Sequence, residues 1–210
     1  MITRQALLAS LAVVLGAGAA AAQRCAPPDT TAEWFTRQRA WLSDAKHDWS
    51  DNTFRSALVV AAGIDTSRAL PAQFGVQVEG AARPTASDTA MLIRLRSLAA
   101  TRGSAWPFRQ VVGAAGVRAV WWLSQSDTAL QRTTLHRMME SGGDEAFAAD
   151  VAVLEDRVRL QSGRKQIYGS QLHMVGGRLV PEPIEDSAHV DMRRDAAGLP
   201  ALQAALCVAR

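Results

Sequence analysis

The sequence contains few of the residues that build common metal and nucleophile sites. Its 210 residues include only two cysteines and four histidines. The histidines are His47, His136, His173 and His189. They show no H-x-x-x-H or H-E-x-x-H spacing, and two distant cysteines make no zinc knuckle. The G-x-S-x-G, P-loop and strand-to-helix G-x-G-x-x-G motifs are absent as well. We therefore predict no metal site and no cofactor, and the sequence names no reaction.

The chain also lacks the charge pattern of a nucleic-acid-binding protein. It has 23 basic and 20 acidic residues, a formal net charge of +3, and the two signs are interleaved along the chain. Binding to phosphate backbones needs a basic stripe or cluster, usually with aromatic residues between the basic ones. Neither pattern is present, so we predict no nucleic-acid binding.

A long apolar stretch lies at the N-terminus. Arg4 precedes an apolar run from Ala6 to Leu15, and small residues follow up to Ala22. This pattern is typical of a secretory signal peptide, residues 1–22, cleaved after Ala22; an uncleaved anchor helix is the alternative. We predict a periplasmic or secreted mature chain with no membrane span.

The mature chain is about the size of one domain. Residues 23–86 are predicted as a helical extension and loop, and residues 87–210 as a helical domain that shares one core with it. Cys25 and Cys207 lie near the two ends of the mature chain. In an oxidising compartment we expect them to form a disulfide, with separate thiols or an intermolecular bridge as alternatives.

Apolar residues recur at helical spacing over much of the chain. The predicted helices are Thr31–Trp49, a segment that starts at Ser87 and is broken by Gly103, Ala114–Ser124, Thr128–Glu140 and Asp144–Gln161. The segment Phe54–Ala62 fits a helix or a short buried strand. In Thr128–Glu140 we expect Leu135, Met138 and Met139 to be buried. The tryptophans of Thr31–Trp49 fit a core stripe better than an exposed binding surface.

The period of the pattern changes in the C-terminal quarter. Lys165–Met174 and Arg178–Ile184 flank Gly176-Gly177, which predicts a β-hairpin with a glycine turn. A short helix to Arg194 and a last helix from about Pro200 to Cys207 complete the chain, with Gly198 in the left-handed conformation between them. The predicted fold is mainly α (α+β), a helical domain with one C-terminal β-hairpin.

Polar side chains occupy the first predicted strand of this hairpin, in the stretch G-R-K-Q-I-Y-G-S-Q. Strand alternation places Gln166, Tyr168 and Ser170 on one face, and a bulge at Gly169 would bring Gln171 to the same face. Buried polar groups cost free energy unless each finds a partner. The segment therefore lines a site or anchors a polar network.

Further polar candidates lie on the predicted helices. Asp127 and Gln131 are one turn apart at a helix start, where free N–H groups suit an anion or a hydroxyl, although Asp127 also fits a plain N-cap. Asp156 and Arg157 lie in the middle of an amphipathic helix. A partly buried Arg157 needs a carboxylate or phosphate partner, either inside the protein or on a ligand.

Several motifs of the C-terminal half occur in the same order and at similar spacing in one bacterial family. They are W-P at Trp106, V-G at Val112, Q-S-D at Gln125, D-R-V at Asp156, Q-I-Y-G-S-Q at Gln166, P-I-E-D at Pro183 and R-R-D-A-A-G-L at Arg193. Through them the region from Asp88 to Leu206 resembles the uncharacterised domain of unknown function 6624 (DUF6624). The resemblance implies no particular activity.

The chain departs from that family at one position with possible chemical consequences. Members usually carry a His where this sequence has Gln125, and a Gly where it has Ala105, which is a smaller change. A His there could act as a general base or metal ligand, and Gln does neither well. If the family acts through that His, the resemblance implies that this chain is inactive or only binds.

Together these patterns predict a site for a small polar ligand or a peptide, without catalysis. The candidate binding residues are Gln125, Asp127, Gln131, Asp156, Arg157, Gln166, Tyr168 and Gln171. One alternative is a hydrolase that uses Asp127 and Asp156 as a carboxylate pair. A second alternative is a structural or partner-binding protein, for which the Thr31–Trp49 helix would present an exposed tryptophan patch.

Overall fold

Most of the described chain is helical. The computed structural model describes residues 49–64, 77–78, 89–101, 106–140 and 148–208. The seven α-helices of these residues are α1 (Asn52–Ala61), α2 (Thr89–Ala100), α3 (Arg109–Ser124), α4 (Thr128–Glu140), α5 (Ala148–Gln161), α6 (Val190–Ala196) and α7 (Leu202–Val208). The strands are β1 (Gln77–Val78), β2 (Gln171–Val175) and β3 (Arg178–Pro181), and a 3-10 turn covers Ser187–His189. The predicted fold class, mainly α with a C-terminal hairpin, is confirmed.

The hairpin forms around the predicted glycine turn but is shorter than predicted. β2 and β3 pair antiparallel, with Val175 opposite Arg178, and Gly176 and Gly177 have φ angles of 54° and 76°. Both values fit the mirror-image turns that match strand twist. β2 begins at Gln171 because the preceding residues leave the ladder, apart from a single bridge at Gln166. The predicted strand from Lys165 is therefore wrong over its first half.

A third strand extends this sheet. β1 pairs parallel to β2, with Gln77 opposite Gln171 and Val78 opposite Leu172. The sheet thus connects the hairpin to a short segment that lies far away in the sequence. This pairing brings the side chain of Gln77 close to the polar stretch described above.

Helices α1 to α5 build the main hydrophobic core. α3 lies at its centre, with every residue from 112 to 121 buried. Phe54–Ala62 proves to be helical, and Asp51 caps α1 by accepting a hydrogen bond from the Phe54 amide at 2.8 Å. α3 starts five residues before the predicted Ala114 and continues through a kink at Gly113, with φ 65°.

One predicted core residue lies at the surface. Leu135 and Met138 are buried as expected, but Met139 is 56% exposed. It follows Met138 directly, so the 100° turn between neighbouring helical residues rotates it away from the core. There it borders a cleft.

The C-terminal region follows the predicted order with small shifts. The predicted short helix is a 3-10 turn followed by α6, Gly198 has the expected positive φ of 66°, and α7 begins two residues after Pro200. Cys207 lies in α7, whereas Cys25 lies outside the described residues, so their disulfide stays a prediction. The described helices include none long and apolar enough to cross a membrane.

Other predictions fall wholly or mostly on residues outside the described ranges. These are the signal peptide, the helix Thr31–Trp49 except its last residue, the boundary at residue 86 and the start of the helix from Asp144. They stay predictions.

Candidate functional site

Asp156 anchors the polar loop from α5. Its side chain is fully buried, and its carboxylate accepts hydrogen bonds from the amides of Ile167 at 2.6 Å, Ser170 at 2.9 Å and Tyr168 at 3.1 and 3.2 Å. A buried carboxylate is tolerated when several donors of this kind surround it. Asp156 therefore replaces the strand ladder that this stretch lacks.

Gln166 holds the same loop from inside. Its Nε2 donates to the carbonyls of Gln171 at 3.2 Å and Glu182 at 2.6 Å, and its Oε1 accepts from the Gln171 amide at 2.9 Å. Gly169 allows the chain to turn here, since its φ is 66° and a Cβ would lie 2.9 Å from Ile184 Cδ1. The predicted β-bulge at Gly169 is wrong, because β2 begins only at Gln171 and the glycine lies in the loop before it.

An arginine links this loop to the end of α3. Arg157 Nε donates to Gln171 Oε1 at 3.2 Å, and its Nη1 donates to Gln125 Oε1 at 2.8 Å. Gln171 Nε2 in turn donates to Ser170 Oγ at 3.0 Å. The guanidinium therefore donates to two amide oxygens. The sequence had predicted a carboxylate or a phosphate as its partner.

More glutamines extend this arrangement. Gln131 Nε2 donates to the Gln125 carbonyl at 2.9 Å, and its Oε1 accepts from Gln161. Gln77 Nε2 approaches Gln125 Oε1 at 3.4 Å, while the buried Gln77 Oε1 has no hydrogen-bond partner among the described residues. We call Gln77, Gln125, Gln131, Arg157, Gln161, Gln166 and Gln171 the glutamine network. Most hydrogen bonds of these side chains go to other members of the network or to backbone amides and carbonyls.

Asp127 has a separate structural task. It caps α4, because its Oδ1 accepts from the Leu130 amide at 2.9 Å, and its other oxygen forms an ion pair with Arg96. Partial burial alone would raise the pKa of Asp127, but the Leu130 amide and the Arg96 guanidinium together lower it below its usual value. Asp127 and Asp156 thus bind different groups, and the N-cap alternative is confirmed.

A cleft of about 320 Å³ opens beside the loop. It lies between α4, α5 and α6, and most of its walls are apolar. The lining residues are Met138, Met139, Ala148, Val151, Ala152, Tyr168, Arg193, Ala196 and Ala197. Of the candidates proposed from the sequence, Tyr168 lines this cleft and the others do not.

The loop fixes the position of Tyr168. Its amide is held by Asp156, and its carbonyl accepts from Arg194 Nη1 at 2.8 Å. Its side chain packs against the buried cluster of Ala152, Ala197 and Leu199, and its hydroxyl has no hydrogen-bond partner in the described part of the chain. Burial raises the pKa of Tyr168, and the carboxylates of Glu155 and Asp156 act in the same direction. The phenol is therefore neutral at ordinary pH.

Arg194 is a structural residue that the sequence did not single out as a site residue. It is fully buried, and its Nε donates to the Pro200 carbonyl at 2.6 Å. Burial lowers the pKa of its guanidinium to about 10, against the opposing effect of Asp191 and Asp156. It ties α6 and the turn after it to the carbonyl of Tyr168.

The charged side chains around Tyr168 differ in their bonding. Arg193 donates to the Ile167 carbonyl at 3.0 Å and reaches Asp186, and Arg159 forms an ion pair with Glu185. Glu155 forms no hydrogen bond or ion pair with any residue that the structure describes. Burial raises its pKa, and the positive charges of Arg159 and Arg164 act in the opposite direction. Sequence reasoning missed Glu155 and Arg193, because the pairing of Arg193 and the lack of an ion pair at Glu155 both depend on how the elements pack in the fold.

Gln77 was missed as well, although a signal for it existed. In the sequence it lies between Val76 and Val78, so it is a polar residue in an apolar setting. The same observation had drawn attention to Gln166. Within the described ranges, no group of three or more His, Cys, Asp or Glu side chains could hold a metal ion.

Comparisons with known proteins point to one family. Residues 50–209 match the model of the family of unknown function DUF6624. The match extends the resemblance seen from Asp88 to Leu206 towards the N-terminus and includes α1. Searches among curated proteins and among solved structures gave no match.

Proposed function

The chain belongs to the DUF6624 family, and we propose that it is a binding domain without catalysis, whose cleft beside Tyr168 takes a small amphipathic molecule. The cleft volume of about 320 Å³ lies at the lower end of the range for ligand sites, which are mostly apolar with a few placed polar groups. This modifies the expectation of a polar pocket, because most of the polar candidates belong to the glutamine network.

The observation that carries the proposal is the open hydroxyl of Tyr168 at the wall of an apolar cleft. Asp156 and Arg194 fix the backbone of Tyr168 on both sides. A group that is held in place before binding loses little conformational freedom when a ligand arrives. The glutamine network then does not contact the ligand, and its role is to hold the loop that carries Tyr168.

The hydrolase alternative has less support. Two-carboxylate hydrolases need both carboxyl groups open to one substrate. Here Asp156 is surrounded by backbone amides, and Asp127 binds Leu130 and Arg96. The partner-binding alternative rests on the Thr31–Trp49 helix, which lies outside the described residues apart from Trp49.

Export is part of the proposal and rests on the sequence alone. A leader ending at Ala22 would deliver the chain to the periplasm or the medium, where Cys25 and Cys207 would pair. Intact mass of the exported protein tests both points. The account expects a mass that starts at Gln23 and no reactive thiol without reductant; an unprocessed N-terminus would contradict it.

Thermal melting with a panel of small amphipathic molecules tests the binding function. A ligand at about a hundred times its dissociation constant adds roughly 2.7 kcal/mol, a shift on the order of 5–10 °C. Ala196→Trp should abolish the shift, because Ala196 is an exposed residue of the cleft wall. Ala129→Trp, on an exposed face of α4 away from the cleft, is the matched control. A shift that survives Ala196→Trp would place binding elsewhere.

A further inference from the structure

We infer that the ligand of the cleft carries an organic ammonium group, and that Glu155 and Tyr168 hold this group at the end of the cleft. The inference rests on the proposed binding function and names the chemical class of its ligand: a small amine with a hydrocarbon body.

Glu155 continues the face of α5 that lines the cleft. Ala148, Val151 and Ala152 line it, and Glu155 follows at the i+7 position from Ala148. Residues at i, i+3, i+4 and i+7 share one face of a helix. Glu155 therefore lies one helical turn beyond Ala152, a member of the apolar cluster against which Tyr168 packs.

The balance of paired charges favours a cation at this end. Arg193 is engaged by the Ile167 carbonyl and by Asp186, and Arg159 by Glu185. Glu155 is partly buried and has no such partner in the ranges that the structure covers. The positive charges of Arg159 and Arg164 attract this carboxylate, but neither forms an ion pair with it. A partly desolvated carboxylate without an ion pair gains free energy when an opposite charge approaches.

The walls suit an alkylammonium ion in other respects. The ring and the hydroxyl oxygen of Tyr168 attract a cation, through the face of the ring and through a hydrogen bond. The thioethers of Met138 and Met139 offer polarisable, adaptable contacts to a hydrocarbon chain. Ala148, Val151 and Ala152 leave room for this chain between the helices.

Calorimetric titration with three probes of equal chain length tests the inference. The probes are hexylamine, hexanol and hexanoate, whose heads are cationic, neutral and anionic at neutral pH. We expect hexylamine to bind most tightly and hexanoate least tightly. Glu155→Gln should weaken hexylamine by about five- to tenfold, because a charge-assisted contact becomes neutral. Its affinity for hexanol should not change, which also shows that the variant folds.

Asp195→Asn is the matched control for the loss of a negative charge. Asp195 is exposed on α6 and is not part of the cleft wall, so its neutralisation should leave hexylamine binding unchanged. Equal affinities for the three probes, tightest binding of hexanoate, or the same loss in both variants would overturn the inference and leave the cleft as a binding site. If no probe binds, the proposed function itself fails.

Discussion

The glutamine network and the cleft both include residues of one short loop, and they use polar groups in opposite ways. In the network, Gln166, Gln171 and Arg157 bond to neighbouring amides and carbonyls. At the cleft, the hydroxyl of Tyr168 has no hydrogen-bond partner among the described residues, and the carboxylate of Glu155, further along α5, has none either. Polar residues inside a fold therefore do not by themselves mark a binding site. Polar groups that have no hydrogen-bond partner within the protein are better candidates for contacts with a ligand.

The largest expected effect comes from removing the anchor of the loop. Asp156→Ala leaves the amides of Ile167, Tyr168 and Ser170 buried without an acceptor, so we expect the free energy of unfolding to fall by about 3–5 kcal/mol. Urea denaturation measures it. Asp195→Asn, on the surface, should change it by less than about 0.5 kcal/mol. If Asp156→Ala kept its stability and lost only ligand binding, Asp156 would belong to the site.

Substitutions of Gln125 and of Gln77 should change the free energy of unfolding by different amounts. Gln125→Met removes the acceptor of Arg157 Nη1, which we expect to cost about 1.5–3 kcal/mol. Gln77→Met is the control, because Gln77 Oε1 has no described partner and its Nε2 contact is long; we expect a change of less than about 0.5 kcal/mol. Chemical denaturation of both variants compares them. Equal losses of unfolding free energy would show that Gln77 stabilises the protein as much as Gln125 does.

A third comparison separates backbone strain from close packing at the bend. Gly169→Ala meets Ile184 and also requires a positive φ, so we expect a loss of about 1–3 kcal/mol. Gly163→Ala has a similar φ of 71° and open space around it, and should lose only about 1 kcal/mol. Thermal melting of both gives the difference. A larger loss at Gly163 would contradict the packed position of the loop.

The smallest expected effect concerns Glu155 and depends on pH. Its pKa is raised in the folded protein, so its contribution to stability is greatest below the unfolded pKa and is lost as the pH rises through the folded value. Glu155→Gln removes this pH-dependent loss of stability, because glutamine does not titrate. At neutral pH we expect the variant to be more stable by on the order of 0.5 kcal/mol, since the carboxyl is partly solvated. Its advantage should disappear near pH 4. A destabilised variant at neutral pH would reveal a cation bound to Glu155.

The fold could be predicted well where the signal was local. The apolar spacing of α2 and α4, the cap at Asp127 and the turn at Gly176 each depend on residues close in the sequence. The start of β2 could not be predicted, because Asp156, on a different element, satisfies the amides that a strand would have paired.

The candidate site was predicted in part, for a similar reason. The polar residues that the sequence marked do come together, apart from Asp127, yet of these residues only Tyr168 reaches the cleft. Which polar groups remain open depends on contacts between α5, the loop and α6. Neither the pairing of Arg193 with Asp186 nor the open carboxylate of Glu155 has a local pattern.

Methyl chemical shifts of methionine during an amine titration test the central claim most directly. The chain has six methionines; Met138 and Met139 line the cleft, whereas Met174 and Met192 are exposed elsewhere. Methionine-to-leucine variants assign the signals. The account predicts that hexylamine shifts the signals of Met138 and Met139 and leaves those of Met174 and Met192 in place. Shifts at Met174 or Met192 with none at Met139 would show that the cleft beside Tyr168 is not the binding site.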